Sequence, residues 1–186
     1  NRKDIWVSGG SQGGLQTMLI AGLDPDVTEA SPSVPWCCDI GGSEYGRLRG
    51  DWYVRWTPAL GYFDPVHHAR RMNPKLYCDV TRAGLGDYTC PPSGIAALYN
   101  ALPCRKRIAW TQNETHGYVQ PAERRQLTVW EAPAMPQDAA SQEEALAARL
   151  PEIFAKSAAH YKALDAAATP LMKGEKGEPR TPHGFN

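Results

Sequence analysis

Apolar positions in this chain fall in short runs separated by turn residues. The run Ile5-Trp6-Val7 enters a glycine-dense turn, Gly9-Gly10-Ser11-Gln12-Gly13-Gly14. Residues 15–22 leave that turn with an apolar spacing that predicts a helix, stopped by Gly22 and Pro25. Residues 28–34 read as a short extended segment, broken by Pro32 and Pro35, consistent with a strand ending in a loop. Residues 36–61, rich in Arg, Trp and Tyr, read as a partly helical excursion over the sheet edge. Asp64-Pro65 then opens a helix, with Asp64 as N-cap and Pro65 at the first position. Residues 76–83 (LYCDVTRA) predict a strand that ends in Gly84-Leu85-Gly86-Asp87. Pro91-Pro92 opens a further helix, and residues 107–111 predict a strand leading into a loop with His116-Gly117. Strands and helices alternating at this length predict an α/β fold: a mostly parallel sheet with helices on both faces.

The pattern changes after residue 120. Residues 126–134 read as irregular or extended. Ser141-x-x-Glu144 predicts a capping box opening an alanine-rich helical run, divided at Pro151. Residues 173–180 are charged and glycine-rich, a composition expected to be disordered. The expected organisation is therefore a catalytic-type domain over 1–120, a mostly helical segment over 121–168 and a disordered tail over 169–186.

At 186 residues with 42% apolar content, the chain is long enough to bury a core. Lysine plus arginine (20) balance aspartate plus glutamate (20), so nothing points to nucleic acid or an anionic membrane surface. No run has the length of a transmembrane helix. Five cysteines without a C-x-x-C spacing read as free thiols packing like small hydrophobes.

The glycine turn carries the chemistry. Gly9, Ser11 and Gly13 form G-x-S-x-G between a strand and a helix. A serine raised on so sharp a turn brings its neighbours two positions away into close contact, which disfavours a Cβ on either. The helix that follows points free N–H groups toward the place where an oxyanion would form. A nucleophilic serine needs a base, and the base an orienting acid. His67 and His68 lie within a helix, His160 in the late helical run and His183 in the tail; His116 follows a strand directly. Parallel sheets place their sites at the C-terminal strand ends. The same rule selects Asp87, just past its strand, over Asp79 within it. Taken singly, Asp87 also reads as a helix N-cap and His116 as an ordinary loop histidine. Trp36, Trp52 and Trp56 read as a sugar-stacking surface or as core and interface residues. Arg47, Arg49, Arg70 and Arg71 read as contacts for a carboxylated substrate or as a solvated face.

Gly9-Gly-Ser-Gln-Gly-Gly14, Pro35-Trp-Cys-Cys-Asp-Ile40, Gly84-Leu-Gly-Asp-Tyr-Thr-Cys-Pro-Pro92 with Tyr99-Asn100, and His116-Gly117 together resemble the acetyl xylan esterase / cephalosporin C deacetylase family of α/β-hydrolases. The resemblance implies a serine carbohydrate esterase that removes acetyl groups from xylan, xylo-oligosaccharides or similar small esters, without metal or cofactor. It implies Ser11 as nucleophile, His116 as base and acid, Asp87 as the orienting carboxylate, and the Gln12 backbone N–H as an oxyanion donor. It also implies homo-oligomeric association. The family's other oxyanion donor comes from a loop ahead of the elbow, a region these residues do not include. About four strands precede the strand that feeds the elbow in that fold, against about three residues here. The chain is accordingly read as the C-terminal part of the fold, with the N-terminal strands missing, and is expected to associate and to hydrolyse little by itself. A prolyl-oligopeptidase-type peptidase shares the fold and residue order, although Gln12 and Cys90-Pro-Pro disfavour it. A catalytically silent fragment or structural subunit is the remaining alternative.

Overall fold

A computed structural model describes residues 4–46 and 54–136, with separate positions between 138 and 162. The chain divides into two compact units, 1–135 and 136–186. In the first, strands β1 (Trp6–Gly10), β2 (Glu29–Ser33), β3 (Tyr77–Gly84), β4 (Arg105–Thr111) and β5 (Leu127–Ala132) form one sheet in the order β1-β2-β3-β4-β5. The first four are parallel, and β5 runs antiparallel to β4. The connections hold α1 (Gln12–Leu23), α2 (Pro65–Ala69) and α3 (Pro92–Ala101). Two 3₁₀ turns, Ile40–Tyr45 and Pro58–Phe63, occupy the expected excursion.

Strand periodicity decides which face is covered. Ala30 and Pro32 of β2, and Cys78, Val80 and Ala83 of β3, are buried, whereas Glu29, Ser31, Tyr77 and Asp79 alternate with them and are less so. The buried set packs with Met18 and Ala21 of α1, Val66 and Ala69 of α2, and Ile95 and Leu98 of α3. Helix α1 contacts α2, and α2 contacts α3, so the three helices share one face. Among the described residues, the expected helical cover is therefore met on one face. On the other, Asp79 pairs with Arg107 (2.9 Å), and Arg107 reaches Glu131 of β5 (3.6 Å). Three adjacent strands are thus joined by alternating charge, the usual way of dressing a half-solvated sheet face.

Asp64 caps α2 as its sequence position predicts, accepting from Val66 N at 2.9 Å. The same carboxylate also accepts from Asp39 N (3.0 Å) and Ile40 N (2.7 Å), tying the loop after β2 to the helix. His67 and His68 are structural here: their ring nitrogens bond Gly61 O (2.8 Å) and Tyr62 O (2.7 Å).

The stretch expected to be irregular or extended is strand β5, so the compact unit continues past residue 120 to Met135. Trp130 explains the attachment. Its ring packs edge-on to Trp110 of β4 at 5.2 Å and against Tyr99 of α3 at 6.2 Å. Such aromatic pairs stabilise beyond their buried area. In the second unit, Ser141 is itself helical, and its N–H donates to Asp138 Oδ1 at 2.7 Å. The cap thus comes from Asp138 rather than Ser141. Residues 147–152 are helical, Pro151 included, and Lys156 pairs with Glu152 at 2.6 Å. The tail over 169–186, with His160, His183, Trp52, Arg47 and Arg49, lies outside the described residues.

A Cβ on Gly9 would lie 2.5 Å from Gly13 O, closer than any real contact. Gly13 itself has nothing within 4 Å of such an atom, which corrects the expectation that both glycines are sterically required. Gly9→Ala should cost about 1–3 kcal/mol of stability by displacing the α1 backbone, as over-packing does. Gly13→Ala should cost less. Denaturant midpoints of the two variants would check the order.

Candidate active site

Ser11 sits between β1 and α1 with φ +55° and ψ −115°, a backbone state that costs a non-glycine residue energy and persists only when its surroundings enforce it. Three hydrogen bonds enforce it here. Ser11 N donates to Ser33 O at the end of β2 (2.9 Å), and Ser11 O accepts from Leu15 N (3.0 Å) and Trp36 N (3.1 Å). The hydroxyl is thereby lifted off the sheet toward the loops at the C-terminal strand ends.

The loops after β3 and β4 meet it there. Ser11 Oγ lies 3.0 Å from His116 Nε2, and His116 Nδ1 lies 3.1 Å from Asp87 Oδ2. An ionised carboxylate only accepts, so Nδ1 carries the proton and Nε2 is left to accept from the serine hydroxyl. The second oxygen, Asp87 Oδ1, accepts from Thr89 N (2.9 Å) and Cys90 N (2.8 Å). Asp87 is fully buried, and the His116 side chain is 26% exposed. Gln12 is the first residue of α1, where a backbone N–H has no partner within the helix. All of the sequence-selected residues therefore lie together, and Asp79 lies in the charged ladder on the strands instead.

Two participants were not singled out as site residues by sequence reasoning. Cys90 is buried against Ser11 and Asp87; burial first, and then the Asp87 carboxylate, pushes its thiol up to about 12. Glu114, 1% exposed, anchors the His116 loop. It pairs with Arg82 of β3 at 3.1 Å and with Arg125 at 3.2 Å, and it accepts from Gln120 N at 3.1 Å. Arg82 also donates to Thr115 O (2.9 Å), and Gly86 N donates to Glu114 O (2.9 Å), so the loops bearing Asp87 and His116 are fastened to each other. A lone glutamate in Asn-Glu-Thr-His gives no sequence signal of this, because its partners are remote in sequence. Glu114→Ala leaves two arginines without their carboxylate and should cost about 3 kcal/mol, as breaking a buried pair does. A thermal or denaturant melt would measure it.

Trp36 packs against the core, and the indole of Trp56 covers Gly41, whose added Cβ would meet its Nε1 at 2.9 Å. Arg70 and Arg71 are exposed.

Known proteins resemble part of this chain. Residues 54–133 match the family model for acetyl xylan esterase. The chain is related to the acetyl xylan esterases. It is 29% identical over 130 residues to the acetyl esterase Axe7A of Xylanibacter ruminicola, covering 61% of this chain and 29% of that protein. Among solved structures, it is similar to the acetyl xylan esterase from Paenibacillus sp. R4, with 31% identity and a TM-score of 0.52 over 62% of this chain and 40% of that one. It is also similar to acetyl xylan esterase 1 from Thermoanaerobacterium sp. JW/SL YS485, with 26% identity and a TM-score of 0.53, covering 64% and 42% of the respective chains. The fold is that of the α/β-hydrolase esterases. The chain spans less than half the length of each of these relatives.

Proposed function

We propose that this chain carries the Ser–His–Asp machinery of a serine esterase that removes acetyl groups from acetylated xylan, xylo-oligosaccharides or similar small esters. The observation that carries the proposal is the relay from Ser11 Oγ through His116 (3.0 Å) to buried Asp87 (3.1 Å), on a serine held at φ +55°. Ser11 Oγ attacks the acetyl carbonyl carbon while its proton passes to His116 Nε2. The Gln12 N–H, at the positive end of α1, donates to the oxyanion of the tetrahedral intermediate. Collapse breaks the bond to the sugar oxygen, which takes the proton from His116 and leaves acetyl-Ser11. Water, deprotonated by the same nitrogen, then releases acetate and restores the serine. Asp87 stays ionised throughout and stabilises the imidazolium between the two proton transfers.

A fluorophosphonate probe, which phosphonylates activated serines, should label Ser11 and no other serine, with peptide mass spectrometry identifying the site. Labelling at Ser8 instead would overturn the assignment. Comparing a small acetyl ester with a prolyl amide separates an esterase from a peptidase built on the same fold, and preferential amide cleavage would favour the peptidase.

A further inference from the structure

The motif Gly-Asp-Tyr-Thr-Cys-Pro-Pro brings a thiol to the site that acyl transfer does not use. Ligand atoms of Asp87, Cys90 and His116 all lie within 4.8 Å of one another. Asp87 and Cys90 are buried, and His116 opens the cluster to solvent. One oxygen of Asp87 is committed to two backbone N–H groups, which fixes the carboxylate and turns Oδ2 toward the cluster. Carboxylate, thiolate and imidazole are the donors of tetrahedral zinc, at about 2.0–2.3 Å from the ion and hence roughly 3.5 Å from each other. Side-chain adjustments would bring the three donors from within 4.8 Å to that spacing.

We infer that Asp87, Cys90 and His116 form a site for a thiophilic divalent cation of the Zn²⁺ class, whose binding inhibits the hydrolase. Coordination forms a metal–sulfur bond and releases the Cys90 thiol proton to solvent. The imidazole passes its Nδ1 proton through solvent to Nε2 and bonds through the freed Nδ1 lone pair, beside Asp87, which bonds through Oδ2. One thiolate and one carboxylate balance the two positive charges, so the buried assembly is neutral. The donor set selects against Mg²⁺ and Ca²⁺, which take oxygen ligands. With the metal on Nδ1 and the ring proton on Nε2, His116 can no longer accept the Ser11 proton. That inhibitory consequence rests on the function proposed above; the binding does not.

Titration of the 186-residue chain with Co²⁺ tests the binding without any need for activity. A thiolate-to-cobalt charge-transfer band should appear and saturate at one equivalent, should be displaced by Zn²⁺, and should be unaffected by excess Mg²⁺. Cys90→Ser should abolish the band. His116→Ala, at a partly exposed loop position that does not disturb the core, should weaken Zn²⁺ affinity at least tenfold. Cys104→Ala, at the opposite end of the sheet, should retain the band. No band in the unmodified chain, a band that persists in Cys90→Ser, or His116→Ala affinity equal to that of the unmodified chain would overturn the site. In the active protein, Zn²⁺ should suppress acetyl-ester hydrolysis and a chelator should restore it; hydrolysis unaffected by saturating Zn²⁺ would overturn the inhibitory role. Ser11→Ala separates the two proposals. Should it bind Co²⁺ normally yet hydrolyse like the unmodified protein, the catalytic assignment fails and the metal site stands.

Discussion

In the active protein, Ser11→Ala is expected to lower acetyl-ester turnover by a factor on the order of 10⁵–10⁶. The size follows from what the hydroxyl does. It forms the covalent bond to the acetyl group, and no other hydroxyl is placed within reach of His116 Nε2 by the hydrogen bonds described. The residual rate belongs to substrate binding and oxyanion stabilisation, which remain when the nucleophile is gone. Folding should be nearly unaffected, because the bonds that pin the elbow run through the backbone of residue 11 rather than through its side chain. Initial rates on a chromogenic acetyl ester, with melting curves of both proteins, make the comparison. Retention of more than about a thousandth of the activity would mean that another group is the nucleophile.

Asp87→Asn is expected to cost about four powers of ten in turnover while leaving the fold in place. The two effects separate because the two carboxylate oxygens have different tasks. An asparagine oxygen can still accept from Thr89 N and Cys90 N, so the turn after β3 is kept. Its amide nitrogen would then face His116 Nδ1 and donate to it. The imidazole would be driven to carry its proton on Nε2, where it can no longer take one from Ser11. A melting temperature close to that of the unmodified protein, combined with collapsed activity, is the expected pair of readings. Near-normal activity would remove Asp87 from the mechanism.

The strand–turn–helix punctuation makes much of the core architecture legible in the sequence itself. Gly9 through Gly14 mark the elbow, Asp64-Pro65 marks the start of α2, and Pro91-Pro92 marks the start of α3; each is a local rule of backbone sterics or capping, carried by adjacent residues. Ser11, Asp87 and His116 could be nominated for the same reason, since each follows a strand whose apolar run is visible in the chain. What was not legible depends on partners far apart in sequence. Residues 127–132 carry no turn signal that ties them to β4, and they become a strand because Trp130 finds Trp110 and Tyr99. The buried role of Glu114 exists only where Arg82 and Arg125 converge on it, and a buried carboxylate is tolerable only when so paired. Cys90 reads as an inert thiol until the turn after β3 folds it against Ser11 and Asp87. Local conformational preference is written in neighbouring residues, whereas desolvation and charge pairing belong to the three-dimensional neighbourhood, which forms only when the sheet is assembled.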